Sequence, residues 1–522
     1  MKVKLVLTPY YFYHAFMPPL GLALVSSALS QNNIEHDIDD LYVKLYRSLV
    51  KGSIKTDVFL DQARVNDYLR GSACAEIDAE TAKVMALTDF SGYDYVCFSG
   101  HYPSLDRINS QAIAACLMKK IKDSYGVIIV ANFELPAYRE AGLIDYQTSS
   151  IDSFIDFLNV KNKLNPKLPR IFLEPNFKGF PLSLYKYSRN TIISEFLPHS
   201  GRISNLSRYT GVSKSLPLLL PYTFIEGCQN SCIFCELSGK PGFKIKDYDR
   251  IIRELKFLKR EHKTQDFFFL NSNINPTKQT VRDLTDKIAK ERLKIKFTDC
   301  ATFNNLDKEI LLRLKEAGAV RLVIGLESAG IKLQKYIGKV IDLKHASHIL
   351  KLCHDLGIWV EIDLLIGLPF ETSQDIISTL EFIRDNNAYI KGVNLNRFVL
   401  KPESLMFRSC AKYRIINVRE QSNPGFEFAY DEFRGWKWDM ARKLMEYRYS
   451  RFLECLDRNK IDYFRPVQFV FLMNRKFKDP RRMNKYLARY FFTDRAWEKN
   501  MENFINELKQ GEDIARVKAH LF

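Results

Sequence analysis

Gly227-Cys228-Gln229-Asn230-Ser231-Cys232-Ile233-Phe234-Cys235 is the stretch that decides how the rest of this chain is read. Its three cysteines follow a C-x3-C-x2-C spacing, with an aromatic residue directly before the last. The usual all-cysteine iron–sulfur site uses four thiolates, so three leave one iron open to a substrate or cofactor. A closed structural zinc site needs a fourth Cys or His, commonly from a second paired motif. None follows here: the next cysteine is Cys300 and the next histidine is His262, neither in a pair.

The flanks set this loop in a repeating frame. Leu218 to Ile225 is a short apolar run that reads as a buried strand delivering the loop. Downstream, apolar runs alternate with amphipathic segments. Asp266 to Leu270 predicts a strand and Thr277 to Lys290 a helix; Ile295 to Ala301 and Asp307 to Ala317 repeat the pair. Val320 to Leu326 is followed by a helix through Lys332, then Trp359 to Ile366 and Gly392 to Leu400 give two more strands. Such alternation argues for parallel βα units that close into a full or partial barrel, whose functional groups gather on loops at the strand ends. The cysteine loop occupies that position.

Two further segments, with the cysteine loop, resemble the radical S-adenosylmethionine (SAM) superfamily over Leu218 to Phe407. Ile324-Gly325-Leu326-Glu327-Ser328-Ala329-Gly330, with Ile337-Gly338-Lys339 after it, is similar to that family's fourth-strand G-x-E-S segment. Asp363-Leu364-Leu365-Ile366-Gly367-Leu368-Pro369-Phe370-Glu371-Thr372 is similar to its G-L-P-x-E-T turn after the fifth strand. The resemblance implies that Cys228, Cys232 and Cys235 ligate a 4Fe–4S cluster whose open iron is chelated by SAM. It also implies SAM contacts at Phe234, Asn271, Ser272, Glu327, Ser328, Gly367 and Asn394. One electron through the cluster would then cleave SAM to methionine and a deoxyadenosyl radical that takes hydrogen from an unactivated carbon. The cofactor carries that step, and the protein orients it. Plainer readings stand beside these: a solvated strand-end carboxylate for Glu327, core packing for Phe234, turn capping for Asn271 and Ser272. The family's Gly-Gly-Glu is absent at 271–273. Glu371 reads as a cap of the following helix near Ser373. No catalytic residue is assigned.

The first 160 residues carry a second pattern. Lys2 to Thr8, Ile34 to Tyr42, Tyr95 to Ser99, Gly126 to Ala131 and Ala141 to Tyr146 read as strands, with helices opening at Pro18-Pro19-Leu20-Gly21-Leu22 and over Leu105 to Lys122. This is a doubly wound parallel sheet, an architecture that takes extended cofactors at its carboxyl edge. The Pro-Pro-Leu-Gly-Leu segment resembles the cobalamin-binding domain fused in front of many radical SAM enzymes, which implies contacts at Pro18, Leu20, Gly21, Ser99 and His101. The D-x-H-x-x-G loop of other cobalamin proteins is absent, and Val130-Ala131-Asn132-Phe133-Glu134 stands where a Gly-Gly turn is expected, obstructing close approach of a ligand. His14 and His101 read as polar loop residues before they read as cobalt ligands.

The fold class expected is therefore α/β: a cobalamin-binding-like Rossmann-type domain over 1–160, a linker over 161–217, a partial (β/α)6 barrel over 218–407 and a mainly helical region over 408–522. The linker is rich in Pro, Lys, Asn and Ser. Trp436 to Leu456 predicts a long helix. Arg475 to Lys499 holds nine Lys or Arg against three Asp or Glu, interleaved with Tyr486, Tyr490, Phe491, Phe492 and Trp497. At helical spacing this reads as aromatic core on one side and solvated charge on the other, ahead of a nucleic-acid surface. A formal net charge of +17 agrees with an anionic partner without naming one.

Cys410 and Cys455 are the only cysteines past residue 408, too few for a further four-cysteine cluster. Cys74, Cys97, Cys116, Cys300 and Cys353 fall singly and read as buried thiols. His345, His348 and His354 read as one helix without a metal pattern. Ten cysteines without disulfide-like regularity, no signal peptide and no apolar stretch near 18 residues predict a reducing, cytoplasmic, soluble protein. A monomer is expected. The partners expected are a peptide or small-molecule substrate and an electron donor such as flavodoxin or ferredoxin, with no nucleic acid and no membrane. By the same resemblance, the leading activity is cobalamin-dependent methyl transfer to an unactivated carbon, with epimerisation, ring rearrangement or carbon–carbon coupling as the alternative.

Overall fold

The structure, a computed structural model, describes residues 1–7, 17–41, 44–45, 48, 53–99, 108–132, 141–148, 150–162, 175–178, 180, 218–238, 242–420, 428–456, 467–491 and 496–519. The chain divides into two compact units, Met1–Tyr187 with Ser422–Gly425, and Ser188–Gln421 with Phe426–Phe522. The region past residue 408 therefore shares a unit with the six-stranded sheet described below.

In the first unit, β1 (Lys2–Leu7), β2 (Glu35–Asp40), β3 (Tyr95–Ser99), β4 (Ile128–Ala131) and β5 (Tyr146–Gln147) form a sheet in the order β2-β1-β3-β4-β5. Every pair is parallel. The helices α1 (Leu20–Gln31), α2 (Gln62–Leu69), α3 (Ala75–Met85), α4 (Ile108–Tyr125) and α5 (Ile151–Asn162) supply the crossovers that parallel strands require. Val6, Val96, Phe98, Ile129, Ile113 and Leu117 meet in one core. The strand expected over Ala141 to Tyr146 is displaced: Leu143 is buried without joining the ladder, and β5 begins at Tyr146, whose ring stacks on Phe157 at 3.9 Å. Most of the 161–217 linker lies outside the described residues. Of the part described, Asn176 donates its backbone N–H to Ala23 of α1 at 3.0 Å, and Phe177 and Phe180 are buried.

The second unit is built on six strands that neighbour one another in chain order: β6 (Leu219–Tyr222), β9 (Asp266–Phe269), β10 (Lys296–Ala301), β11 (Ala319–Glu327), β12 (Trp359–Ile366) and β13 (Gly392–Arg397). All are parallel, giving the open arc of a (β/α)6 half-barrel. A small antiparallel pair, β7 (Ile225–Gly227) and β8 (Phe243–Ile245), brackets the cysteine loop. The connecting helices α6 (Tyr248–Glu261), α7 (Lys278–Lys290), α8 (Lys308–Ala317), α9 (Ile331–Tyr336), α10 (Leu343–Leu356) and α11 (Ser373–Asp385) start on side-chain caps wherever the sequence offers them. Asp247, Thr277, Asp307, Asp342 and Thr372 each accept a first-turn N–H, and Thr372 with Asp375 forms a capping box.

Beyond β13, α12 (Leu405–Arg408) and the hairpin β14 (Ile415–Glu420) with β15 (Phe428–Glu432) lead into α13 (Trp438–Cys455), α14 (Gln468–Lys476), α15 (Pro480–Phe491), α16 (Ala496–Lys509) and α17 (Glu512–Ala519). On α15, Met483 and Leu487 are buried while Arg481, Arg482 and Lys485 are exposed, the amphipathic arrangement the pattern predicts. Among the described residues no helix is long and apolar enough to cross a membrane.

Candidate active site at the cysteine loop

The loop that carries Cys228, Cys232 and Cys235 is fixed from three sides. From below, the Ile233 N–H donates to Ile337 O at 3.0 Å, and Gly338 (φ +71°) lies so close that a Cβ there would stand 2.7 Å from Ser231 O. From the side, the Met406 N–H donates to Ile233 O at 2.9 Å, Leu405 N–H to Ser238 Oγ at 2.7 Å and Arg408 Nη2 to Ser238 O at 2.6 Å. At the base, Ser272 Oγ donates to Gly227 O.

Within the loop, the Asn230 N–H donates to Cys228 Sγ and the Leu237 N–H to Cys235 Sγ, each at 3.4 Å. Backbone donors aimed at sulfur favour thiolate over thiol, as ligation of a metal requires. Without a metal, burial pushes Cys232 up to about 11, and burial raises Cys235 as well, the neighbouring cysteines adding to both. Among the described residues no three His, Cys, Asp or Glu side chains are already arranged to hold a single metal ion. A three-thiolate loop with amide donors at its sulfurs fits an iron–sulfur cluster. Phe234 packs at the edge of the core that holds Ile233, Leu368 and Met406.

The strand ends beside the loop carry the polar groups. Gly325 and Glu327 sit at a register shift between β11 and β12, and Glu327 takes φ +62°. Such an irregularity re-aims a side chain at a strand end. Its Oε1 accepts from Lys339 Nζ at 2.7 Å, the two side chains being 11 and 15 % exposed. Although burial works against the Lys339 charge, Glu327 and then Cys232 hold its pKa above the usual lysine value. Asp363 accepts from Asn394 Nδ2 at 2.7 Å, and burial, then the Glu327 charge, pushes its carboxyl up to about 6. The half-buried Cys300 lies in this neighbourhood, with burial raising its thiol to about 12.

Several residues expected to touch SAM have other occupations. Asn271 takes the Phe224 and Ile225 N–H groups on its Oδ1 at 3.0 and 2.9 Å and donates to the buried Asp299 at 2.6 Å. Its side chain is thus an internal pin that sets the approach to Gly227. Ser328 is 2 % exposed and its Oγ accepts from the Gly330 N–H at 3.1 Å, a local turn bond. Asn394 is spent partly on Asp363, while Ser272 ties down the loop base. Gly367 (φ +86°) leaves no room for a side chain because Met445 Cγ would lie 2.4 Å from its Cβ; in this structure the close approach is to α13. Glu371 does not cap α11, since Thr372 does; its Oε2 instead accepts from the Gly367 N–H at 3.0 Å. The pattern of residues gave no signal for Asp299. Lys339 lay in a quoted motif without a role.

In the first unit, Pro18 is buried, Leu20 half-buried and Gly21 exposed at the start of α1, with Ser99 half-buried at the end of β3. A Cβ at Gly21 would meet no described atom within 4 Å. His14, His101, Phe133 and Glu134 lie outside the described residues.

Residues 222–383 match the Radical SAM superfamily. The chain carries a radical SAM domain. Among curated proteins, it is 27 % identical over 161 residues to the uncharacterized methyltransferase PH0819 of Pyrococcus horikoshii, covering 30 % of this chain and 35 % of that one. It is 24 % identical over 217 residues to the cytidylyl-2-hydroxyethylphosphonate methyltransferase of Streptomyces wedmorensis, covering 37 and 40 %. These matches therefore span well under half of the relatives' lengths. The cobalamin-dependent SAM radical enzyme OxsB, solved with aqua-cobalamin and SAM, superposes with a TM-score of 0.54 at 14 % identity, covering all of this chain and 80 % of that one. The radical SAM methyltransferase TsrM from Kitasatospora setae, solved with cobalamin and a [4Fe-4S] cluster, superposes at 0.52 and 12 % identity over 81 % of both chains. At these identities the likeness establishes the fold: a doubly wound sheet followed by a radical SAM half-barrel.

Proposed function

We propose that this chain is a cobalamin-dependent radical SAM enzyme that transfers a methyl group to an unactivated carbon of a peptide or small-molecule natural product. The observation that carries the reading is the three-cysteine loop, with backbone amides on two of its sulfurs and the Glu327–Lys339 pair beside it. When bound, the cluster and SAM supply a radical able to take hydrogen from carbon, and cobalamin supplies the methyl group.

The chain's own contribution is placement. Cys228, Cys232 and Cys235 hold the cluster, and Glu327 offers acceptor oxygens to the ribose hydroxyls of SAM. Lys339 neutralises that carboxylate, and Phe234 with its apolar neighbours excludes water from the reacting atoms. Pro18, Leu20, Gly21 and Ser99 would lie at the corrin-binding edge. A cytoplasmic monomer reduced by flavodoxin or ferredoxin is the setting proposed, since a reducing compartment preserves the cluster.

A second reading keeps the radical and omits methyl transfer. Its support is the match over all of this chain to OxsB, a cobalamin-dependent SAM radical enzyme. Epimerisation, ring rearrangement or carbon–carbon coupling would then be the outcome.

The deciding experiment is anaerobic purification from cells supplied with cobalamin, followed by quantification of corrinoid, iron and SAM cleavage. About one corrinoid per chain, with label passing from methyl-labelled SAM to a product, supports methyl transfer. Corrinoid with SAM cleavage and no labelled product selects the second reading. Iron without corrinoid removes cobalamin from both.

A further inference from the structure

The turn that follows β12 is held from outside the half-barrel. Residues 367–371 contain two positive φ angles, Gly367 at +86° and Phe370 at +63°, a shape that costs energy at a non-glycine residue and persists only where surroundings impose it. The imposing groups come from past residue 428. Glu432 accepts the Phe370 N–H at 2.9 Å. Glu371, which holds the Gly367 N–H, is itself held by Arg448 of α13: Nη1 donates to Glu371 O at 3.2 Å and lies 3.7 Å from Glu371 Oε2.

Arg448 is 3 % exposed and its other donors are also spent. Nε donates to Asp513 of α17 at 2.9 Å, and Nη2 reaches both Asp513 and Ser373 Oγ, at 2.9 and 3.0 Å. Asp513 is fully buried and also accepts from Ser373 Oγ. One guanidinium thus joins two buried carboxylates on separate elements to the start of α11 and the turn before it. Other buried charge groups in this unit, such as Arg321 with Glu361 or Lys246 with Glu254, join strands and helices inside the half-barrel and do not reach this turn. Burying ions costs more than packing apolar side chains of the same size, so stability alone is a weak reason for the arrangement. A planar fork that fixes several acceptors at once is the better reason.

We propose that Arg448 is a positioning residue that locks the 367–371 turn to α17 and thereby sets the affinity for SAM without taking part in the chemistry. This rests on the radical SAM reading above, in whose family resemblance Gly367 of that turn is a SAM contact. The helical region past residue 408 is then part of the cofactor site's scaffold.

The test uses the full chain, reconstituted anaerobically, with three variants. Asp513→Asn keeps the shape and weakens the grip on Arg448. The double variant Arg448→Met with Asp513→Leu removes the guanidinium and one of its two carboxylates; Glu371 is then left without its guanidinium, and retained iron with a native circular dichroism spectrum shows that the variant still folds. Arg448→Lys keeps the charge and loses the fork. Iron content, the SAM dissociation constant by equilibrium dialysis, the change that SAM produces in the EPR spectrum of the reduced cluster, and the cleavage rate at saturating SAM are measured on each.

The expected result is unchanged iron, a SAM dissociation constant raised about tenfold in the double variant and less in the other two, and a saturated rate within about twofold of wild type, the pattern of lost binding without lost chemistry. A double variant that holds its iron and binds SAM as wild type does overturns the proposal. So does a parallel fall of iron, affinity and saturated rate, which marks a general structural role. A wild-type chain that holds iron and binds no SAM overturns the radical SAM reading and this inference with it.

Discussion

The two parallel sheets of this protein follow the same alternation of strand and helix, yet their charged groups are deployed differently. In the first unit the buried charges lie between neighbouring strands and their flanks: Asp39 of β2 is paired with Lys4 of β1 at 3.5 Å and with Lys44 at 2.7 Å. In the second, beside a strand-to-strand pair such as Arg321 with Glu361, polar side chains also run from strand ends to loops and distant helices, as Asn271 does to Phe224 and Ile225, Lys339 to Glu327, and Arg448 to Glu371. Charges of the first kind stabilise a sheet. Those of the second kind fix the direction of a loop, which is what chemistry on a bound cofactor demands, because small misplacements cost large factors in rate. The difference suggests a division of labour between a platform and a site.

The largest effect that could break this comparison is expected at the cysteines. Replacing any one of Cys228, Cys232 or Cys235 by alanine should abolish iron–sulfur absorbance and SAM cleavage, while circular dichroism stays that of a folded chain. Lys339→Met should come next, costing about 3 kcal/mol in a urea titration because Glu327 is left buried without its partner. Gly338→Ala should cost about 2 kcal/mol and lower the iron content, since the added Cβ meets the backbone of the cysteine loop and φ is positive there.

A pH-dependent effect, smaller per pH unit than either, sharpens the role of the Asn271 pin. Burial pushes the Asp299 carboxyl up to about 8 in the folded chain, far above its unfolded value near 4. The folded state therefore binds the proton more tightly, and stability should fall as pH rises from about 4 to 8, by about 1 kcal/mol per pH unit. Asp299→Asn should flatten that slope in urea titrations between pH 5 and 8. The smallest change in stability is expected from Gly21→Phe, within about 0.5 kcal/mol because nothing crowds the site. Corrinoid uptake should nevertheless drop if the platform binds cobalamin at that edge.

Local signals carried much of the site. The three cysteines, Glu327 and Gly367 are visible as motifs because each motif is a contiguous run, and the strands around them are legible because parallel buried strands read as unbroken apolar stretches. Where a long-range contact decides the local backbone, the pattern misleads. Leu218 to Ile225 reads as one strand, but the chain leaves the main sheet after Tyr222 because Asn271 takes the amides of Phe224 and Ile225. Glu371 reads as a helix cap because its guanidinium partner stands 77 residues away in sequence. Asp299 looks like any strand residue until its burial against Asn271 is known.

The bond between Ser373 and Asp513 bridges 140 residues of sequence. Closing so long a loop has an entropic cost that local helices and adjacent strands do not bear, so this contact should be among the last to form as the chain folds. A newly made molecule would then have its six strands in place before the turn beyond β12 takes its final shape. During that interval it would carry its cysteines without a finished cofactor pocket. Pulse-labelled hydrogen exchange during refolding should show the Gly367 amide gaining protection after the amides of β10 and β11, an order of assembly written into the distance between two residues.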